Sequence, residues 1–452
     1  QNNQNAVIKW DSFNVGGSAT VNFKGPQVEG GYNTLNYVNA GGSMSQIYGT
    51  INANNNGNIF IVNPAGVQIG NSAQINVGSL YVSSNTLSDT ELSNFYDKAG
   101  NTGFTLDGTR NADIELMSLG NINAGKVTFE GDGRIVIDSE RIKDEAGNDK
   151  LDYQNINITT SADNTDNIII GYDAYDETNG YKIADPGTAI ATVNGSDFIT
   201  KADGYMWVED VEQLQAINTN LSGNYALRNS IDATSTEQQG NEFSSIGITS
   251  DGYVDNDGEG FTGKFDGLDY SIFDLNIDET GNDNVGLFGY TTDATISNVT
   301  LVGGSIRGNN NVGAVVGNAN NTTVTNALNS AAVSGNSNVG GIVGSATNTT
   351  VEDAINTGAI EGRENTNGGS NVGGLIGSMD NSHLIGNSYN LGDVTSIGSN
   401  VGGLVGSASN STIGDGTNLV YNRLDVTGRY NVGGIVGNME GTIVQNAENS
   451  GT

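Results

Sequence analysis

"NVGGIVGSATNTTVEDAINTGAI", residues 338–360, is a sentence that the chain writes several times. Its opening recurs as NVGLFG at 284, NVGAVVG at 311, NVGGIVG at 338, NVGGLIG at 371, NVGGLVG at 400 and NVGGIVG at 431. The starts lie 27, 27, 33, 29 and 31 residues apart. Self-similarity in this range marks stacked supersecondary units. A second element sits between the copies: TVTNALNSAAV, TVEDAINTGAI, HLIGNSYNLGDV. Each unit is two or three short strands with turns, too small to bury its apolar side alone, so stacking must create the core. Gly after Val lets the backbone bend sharply or approach a neighbour closely. Asn before Val suits either a turn conformation or a ladder of side-chain amides between coils, and the sequence leaves both open. The unequal spacing points to insertions at turns. The expected architecture is an all-β parallel β-helix with coils about 4.8 Å apart.

Residues 1–200 lack a clean period but share the texture. Runs such as AVIKWDSFNV, GNIFIV, AQINV, GSLYV, KVTFE and GRIVID are separated by Gly, Asn and Asp, as in a β-helix with irregular coils. WVEDVEQLQAI (207–217) breaks the pattern. Val208, Val211, Leu214 and Ile217 recur every three residues, which predicts one short helix near 208–219 lying against the solenoid. Trp10 and Trp207 head apolar segments and read as packing anchors.

Composition narrows the function. The 452 residues include 66 Gly and no Cys, with 51 acids against 17 bases, a net charge of −34. Residues 1–88 sum to zero, residues 89–282 carry 37 acids against 11 bases, and residues 283–452 carry 12 against 4. Such a surface repels phosphate backbones and anionic lipid, so nucleic acid and membrane surfaces are poor partners. Without Cys there is neither a disulfide nor a thiolate metal site. No run of 18 apolar residues is present to span a membrane. Gln1 follows no charged-then-apolar leader, so a signal peptide is expected to have been removed. Residue 452 falls mid-unit, so the parent protein is expected to run on.

One tight turn stands out in the neutral region. NIFIVNPAGVQIG (58–70) places Asn63-Pro64-Ala65-Gly66 between two apolar runs, and uses one of only 3 prolines. Asn suits the first position of a type I turn, Pro presets φ at the second and Gly completes the fourth. The residues alone read as a corner between coils.

Two resemblances follow from these stretches. AVIKWDSFNVGGSATVNF, then LNYVNAGGSMSQIYGTINANNNGNIFIVNPAGVQIGNSAQINVGSLYVSS, resembles the N-terminal haemagglutination-activity domain of two-partner secretion exoproteins, the family of filamentous haemagglutinin and the high-molecular-weight adhesins. Asn63-Pro64-Ala65-Gly66 falls on that family's Asn-Pro-Asn-Gly motif, with Ala replacing the second Asn and its amide. From MWVEDVEQLQAI onward, through FTGKFDGLDYSIFDLNI and the NVGG copies, the chain is similar to the GLUG-repeat region of large bacterial surface proteins. The resemblance implies a right-handed parallel β-helix on a Gram-negative exoprotein. It also implies recognition in the periplasm by the POTRA domains of a cognate outer-membrane transporter, with Asn63, Pro64, Ala65 and Gly66 as secretion-recognition residues. The expected domains are a secretion domain over 1–202, a transitional segment over 203–282 and GLUG-type repeats over 283–452.

Chemistry is sparse. The single His, His383, sits in a repeat where other copies have Thr or Ile, and reads as a solvated residue. Neither a Gly-x-Ser-x-Gly elbow nor a His-Glu-x-x-His helix occurs. Calcium is the only metal to weigh, on Asp251, Asp255, Asp257 and Glu259. Gly258 at the sixth position of an EF-hand loop puts Tyr253 first and Lys264 twelfth, where ligands are required, so a solvated acidic loop is the expectation. The acidic stretch Asp144-Glu145-Ala-Gly-Asn-Asp149 is read the same way. The expected function is a secreted, non-enzymatic adhesin, a monomeric rod that binds an unknown surface receptor or polysaccharide and needs no cofactor. The alternatives are a β-helical carbohydrate-active enzyme and the stalk of a contact-delivered toxin.

Overall fold

A computed structural model describes residues 4–27, 31–97, 112–116, 121–143, 153–160, 167–183, 185–195, 197–238, 242–249, 252–363 and 370–451. The 144–149 acidic stretch and Asp251 lie outside these residues. Strands make up 49% of the chain and helices 8%. Nearly every ladder is parallel, so strands pair with the next turn of the chain and not with their own neighbours. The fold is a parallel β-helix. It divides into two compact units, residues 1–174 with 183–206, and residues 175–182 with 207–452.

The central coils of the first unit have three strands each. One turn runs Asn33–Val38, Ser45–Ile47, Thr50–Ala53; the next runs Asn58–Val62, Val67–Ile69, Gln74–Asn76. In-register pairing sorts side chains by alternation: one set points into the core, the next outward. Ile47, Ile69, Leu116 and Ile137 stack in one buried column, and Ile51, Ile75, Ile122 and Ile142 in another. Helix α1, Asp89–Asp97, covers the outer side of the first sheet, where Leu92 and Phe95 pack on Leu35, Tyr37, Val62 and Phe60. This helix is additional to the one that the spacing predicts near 208–219, because its few apolar residues form no stripe in the sequence.

From Thr295 on, coils of the second unit carry five strands. Residues Thr295–Ser297, Thr300–Val302, Ser305–Arg307, Asn310–Gly313 and Val316–Asn320 make one turn, and Thr323–Thr325 begins the next. Helix α2, Val211–Ala216, continues as a 3-10 turn to Thr219, where the three-residue spacing placed it. Leu214 and Ile217 are fully buried, and Asp210 caps the start by accepting from the Gln213 amide at 2.8 Å.

The NVGG motif answers both of its open questions. Asn284, Asn311, Asn338, Asn400 and Asn431 all have φ between 49° and 60°. The same side chains form a ladder: Asn311 Nδ2 donates to Asn284 Oδ1 at 2.8 Å, and Asn338, Asn371, Asn400 and Asn431 each donate to the preceding copy at 2.7–2.9 Å. Turn and ladder are one device. A Cβ on Gly340 would lie 2.1 Å from the Val343 carbonyl, so close approach fixes that glycine.

Candidate functional site

The 63–66 turn joins two sheets at a corner of the first unit, between strands Asn58–Val62 and Val67–Ile69. The Gly66 amide donates to the Asn63 carbonyl at 2.9 Å, closing a four-residue turn, and neither Pro64 nor Ala65 has positive φ, as type I requires. Gly66 has φ 97°, and a Cβ there would meet the Asp113 carbonyl at 2.5 Å, which only glycine avoids.

Asn63 does more than start the turn. It is fully buried. Its Oδ1 accepts from the Ala65 amide at 2.9 Å, while Nδ2 donates at 2.9 Å to both the Ser43 carbonyl and Ser45 Oγ of the preceding coil. Its own amide donates to the Ser83 carbonyl on the following coil. Asn63 therefore ties three coils together and presents no surface of its own. Pro64 and Ala65 are half-buried and supply what the turn shows to solvent. The reach to Ser43 and Ser45 was invisible in sequence, since those partners stand 20 and 18 residues away.

The first coil offers two strand edges. Asn5–Trp10 pairs on one side with Asn33–Val38, and Thr20–Phe23 pairs on one side with Thr50–Ala53; among the described residues neither has a second partner strand. Thr50 and Asn54 donate to the carbonyls of Ala19 and Phe23. By alternation, the Asn22 amide faces the open side. Outward from this sheet runs a column of amides, with Asn52 donating to Asn22 at 3.0 Å, Asn76 to Asn52 at 2.8 Å and Asn123 to Asn76 at 2.6 Å. The column is uncharged from Asn22 to Asn123, and Lys143 follows in register at its far end from the open edge.

The remaining candidates are scattered. His383 is exposed on a strand between Thr350 and Thr412. Asp255, Asp257 and Glu259 lie on a 3-10 turn, where Asp255 Oδ1 caps the Asn256 amide at 2.8 Å. Among the described residues no three His, Cys, Asp or Glu side chains come together as a metal site would require. One buried titratable group carries no mark in the sequence. Glu130 is 1% exposed and accepts from the Tyr81 hydroxyl. Burial, reinforced by neighbouring Asp132, pushes its carboxyl up to about 8. No local signal marks it, because its burial depends on strands from other coils.

Comparison with known proteins places this geometry. The family described as "TPS secretion domain" matches residues 1–259. Heme/hemopexin-binding proteins of Haemophilus influenzae are 38% identical over 81 residues in one strain and 37% over 98 in another. These matches cover 18% and 21% of this chain, and 8% and 10% of those proteins. Halomucin of Haloquadratum walsbyi is 36% identical over 127 residues, 26% of this chain and 1% of halomucin. The chain thus spans a tenth or less of the length of these relatives. A crystal structure from Bacteroides ovatus, of a protein assigned as an immunoglobulin A1 protease, is 16% identical with a TM-score of 0.37. It covers 54% of this chain and 84% of that one, and is too distant to carry an argument.

Proposed function

Because the chain belongs to the TPS secretion-domain family and is thus a two-partner secreted exoprotein, we propose that its first coils are the address read by a cognate outer-membrane transporter. The POTRA domains of that transporter add a strand to an open edge of the segment, so that backbone groups supply affinity and neutral amides supply register. The observation that carries this is the pair of one-sided strands, Asn5–Trp10 and Thr20–Phe23, with the uncharged Asn22 column beside them. Asn63, Pro64, Ala65 and Gly66 act as positioning residues, holding the coil whose edges are read. The secretion domain is taken as residues 1–202, the transitional segment as 203–282 and the GLUG-type repeats as 283–452. The repeats form a non-enzymatic stalk for adhesion or biofilm at the cell surface. Haem or hemopexin binding is not carried over, since the matched stretches are a small part of those relatives.

Export in cells co-expressing the transporter tests the reading. Asn22→Pro removes one backbone donor from the open edge, together with the exposed side-chain acceptor of Asn52, and leaves the backbone ladder to Thr50–Ala53 intact, which edge strands tolerate. Its export should fall at least several-fold, while the purified chain melts within a few degrees of wild type. Asn63→Ala should lose export together with about 1–3 kcal/mol of stability, because it strands buried partners. Wild-type export of Asn22→Pro at equal expression would remove the edge from recognition.

A further inference from the structure

We propose that a cleft beside helix α2 in the second unit is a binding site for an organic cation, an ammonium head carried on a short alkyl chain. The cleft encloses about 380 Å³, within the roughly 300–1,000 Å³ of small-ligand sites. Three pieces of chain wall it. Val211, Glu212 and Gln215 come from one face of α2, within a single helical turn, while Leu214 is turned into the core. The 3-10 turn Thr234–Glu237 supplies Ser235 and Thr236, and the chain that follows it supplies Glu242 and Phe243.

Hydrogen bonds fix these walls against one another. Gln215 Nε2 donates to the Ser244 carbonyl at 3.0 Å, and its Oε1 accepts from the Ser244 amide at 2.7 Å. That side chain therefore fastens α2 to the segment that carries Glu242 and Phe243. Thr236 Oγ1 donates to the Ala233 carbonyl at 2.7 Å and accepts from the Asn276 amide at 2.9 Å, which anchors the turn to the next coil. Neither Gln215 nor Thr236 can swing in to fill the space without breaking these bonds. Phe243 is 3% exposed and Val211 half-buried, so part of the lining is apolar and preformed.

Charge decides the ligand. Glu212 and Glu242 line the cleft from exposed positions, and among the described residues no Lys, Arg or His lines it. Glu212 forms neither an ion pair nor a hydrogen bond with the described chain. The Tyr175 hydroxyl, on the hairpin beside α2, answers to the same field: burial raises it, and Glu212, Asp210, Glu177 and Asp176 raise it further. An anion is repelled here. A calcium ion takes roughly six to eight oxygens, more than two carboxylates and a Ser235 hydroxyl beside a phenyl ring provide. An alkylammonium meets both halves of the lining. Its head takes charge-assisted bonds from the carboxylates, and its stem lies on Phe243 and Val211. Residues 89–282, with 37 acids against 11 bases, concentrate such cations around the chain.

Isothermal titration of the full 452-residue chain with pentylamine and cadaverine tests this. Each should bind at a single site, cadaverine more tightly, and added potassium chloride should weaken both several-fold. Pentanol, which has the stem without the charge, should give no saturable heat. Glu212→Gln/Glu242→Gln should weaken cadaverine by roughly tenfold or more. Glu361→Gln/Glu448→Gln, which removes equal charge from exposed positions on later coils, should leave its affinity near wild type. Should the first pair disturb the fold, Ser235→Leu fills the cleft, keeps both carboxylates and must also block binding. The amide of N-acetyl-lysine separates the sources: binding tighter than that of pentylamine assigns the head to a partner's lysine, and weaker binding assigns it to a free amine. Absence of saturable heat with all three ammonium ligands, equal losses in both glutamine pairs, or pentanol binding as tightly as pentylamine overturns the proposal.

Discussion

Asn63 shows how far one side chain's work can exceed its local signature. Turn chemistry accounts for the Ala65 and Gly66 bonds, and the bonds to Ser43 and Ser45 make the same residue a buried strut. Glu130 is the opposite case, a buried acid with a measurable consequence. Its carboxyl is held near 8 against an ordinary 4.5, first by burial and then by Asp132. Between those values the folded chain keeps a proton that the unfolded chain has released. Stability is then fullest below about pH 4.5, declines as pH rises toward about 8, and levels off above. Glu130→Gln, which keeps a neutral acceptor for Tyr81, should abolish that slope. Denaturant midpoints at about pH 5 and about pH 8.5 should match between wild type and variant at the lower value and favour the variant at the higher. Parallel curves at both would mean that Glu130 is ionised in the fold.

Elements were legible where their signal is local and periodic. The repeat spacing, the strand alternation and the Val208–Ile217 stripe were all readable, because each rests on residues a few positions apart. Helix α1 was missed although its start is written in the chain: Ser88 caps the Glu91 amide at 3.3 Å and Glu91 answers the Ser88 amide at 2.6 Å, a capping box of nine-residue consequence. Its apolar residues, Leu92 and Phe95, are too few to make a stripe until the sheet beneath them is known. A second amide ladder was equally hidden, inside the repeats: Asn329, Asn356, Asn390 and Asn422 each donate to the next copy at 2.6–2.9 Å, ending on Asn449. Asn356 is fully buried and also bonds both backbone groups of Gly358. Asn356→Ala should cost about 3 kcal/mol, since several buried groups lose partners at about 1–3 kcal/mol each. Asn381→Gly, on the exposed ladder above Asn348 at φ 48°, keeps the left-handed backbone that alanine would strain and should cost well under about 1 kcal/mol. Equal losses in urea melts would show the buried ladder to be incidental to the core.

At the scale of the whole molecule, charge decides more than any site. With 51 acids and 17 bases, no arrangement of ion pairs can neutralise more than a third of the carboxylates. Screening then has two opposed effects. It weakens attractive pairs such as Arg134–Glu115 at 2.8 Å and Lys9–Asp89 at 2.6 Å, and it weakens repulsion among the unpaired acids. Exposed pairs contribute about 0–1 kcal/mol each, and Asp89 is 90% exposed, so repulsion has more to lose. Monovalent salt should therefore raise the melting temperature. Calcium offers a rival way to stabilise such a surface, and Asp255, Asp257 and Glu259 are where the sequence would seat it. The turn that holds them spends an Asp255 oxygen on a backbone amide, and Asp257 and Glu259 point their charge into solvent from exposed positions. Chelator at fixed ionic strength should leave the melting temperature unchanged, and added calcium should act no more strongly than its contribution to screening. A large drop with chelator, restored by calcium and lost in Asp255→Asn/Asp257→Asn, would convert the acidic loop from a solvated turn into a ligand site. Failure of monovalent salt to stabilise would mean that the carboxylates are too far apart to repel, and that solubility alone accounts for a charge of −34.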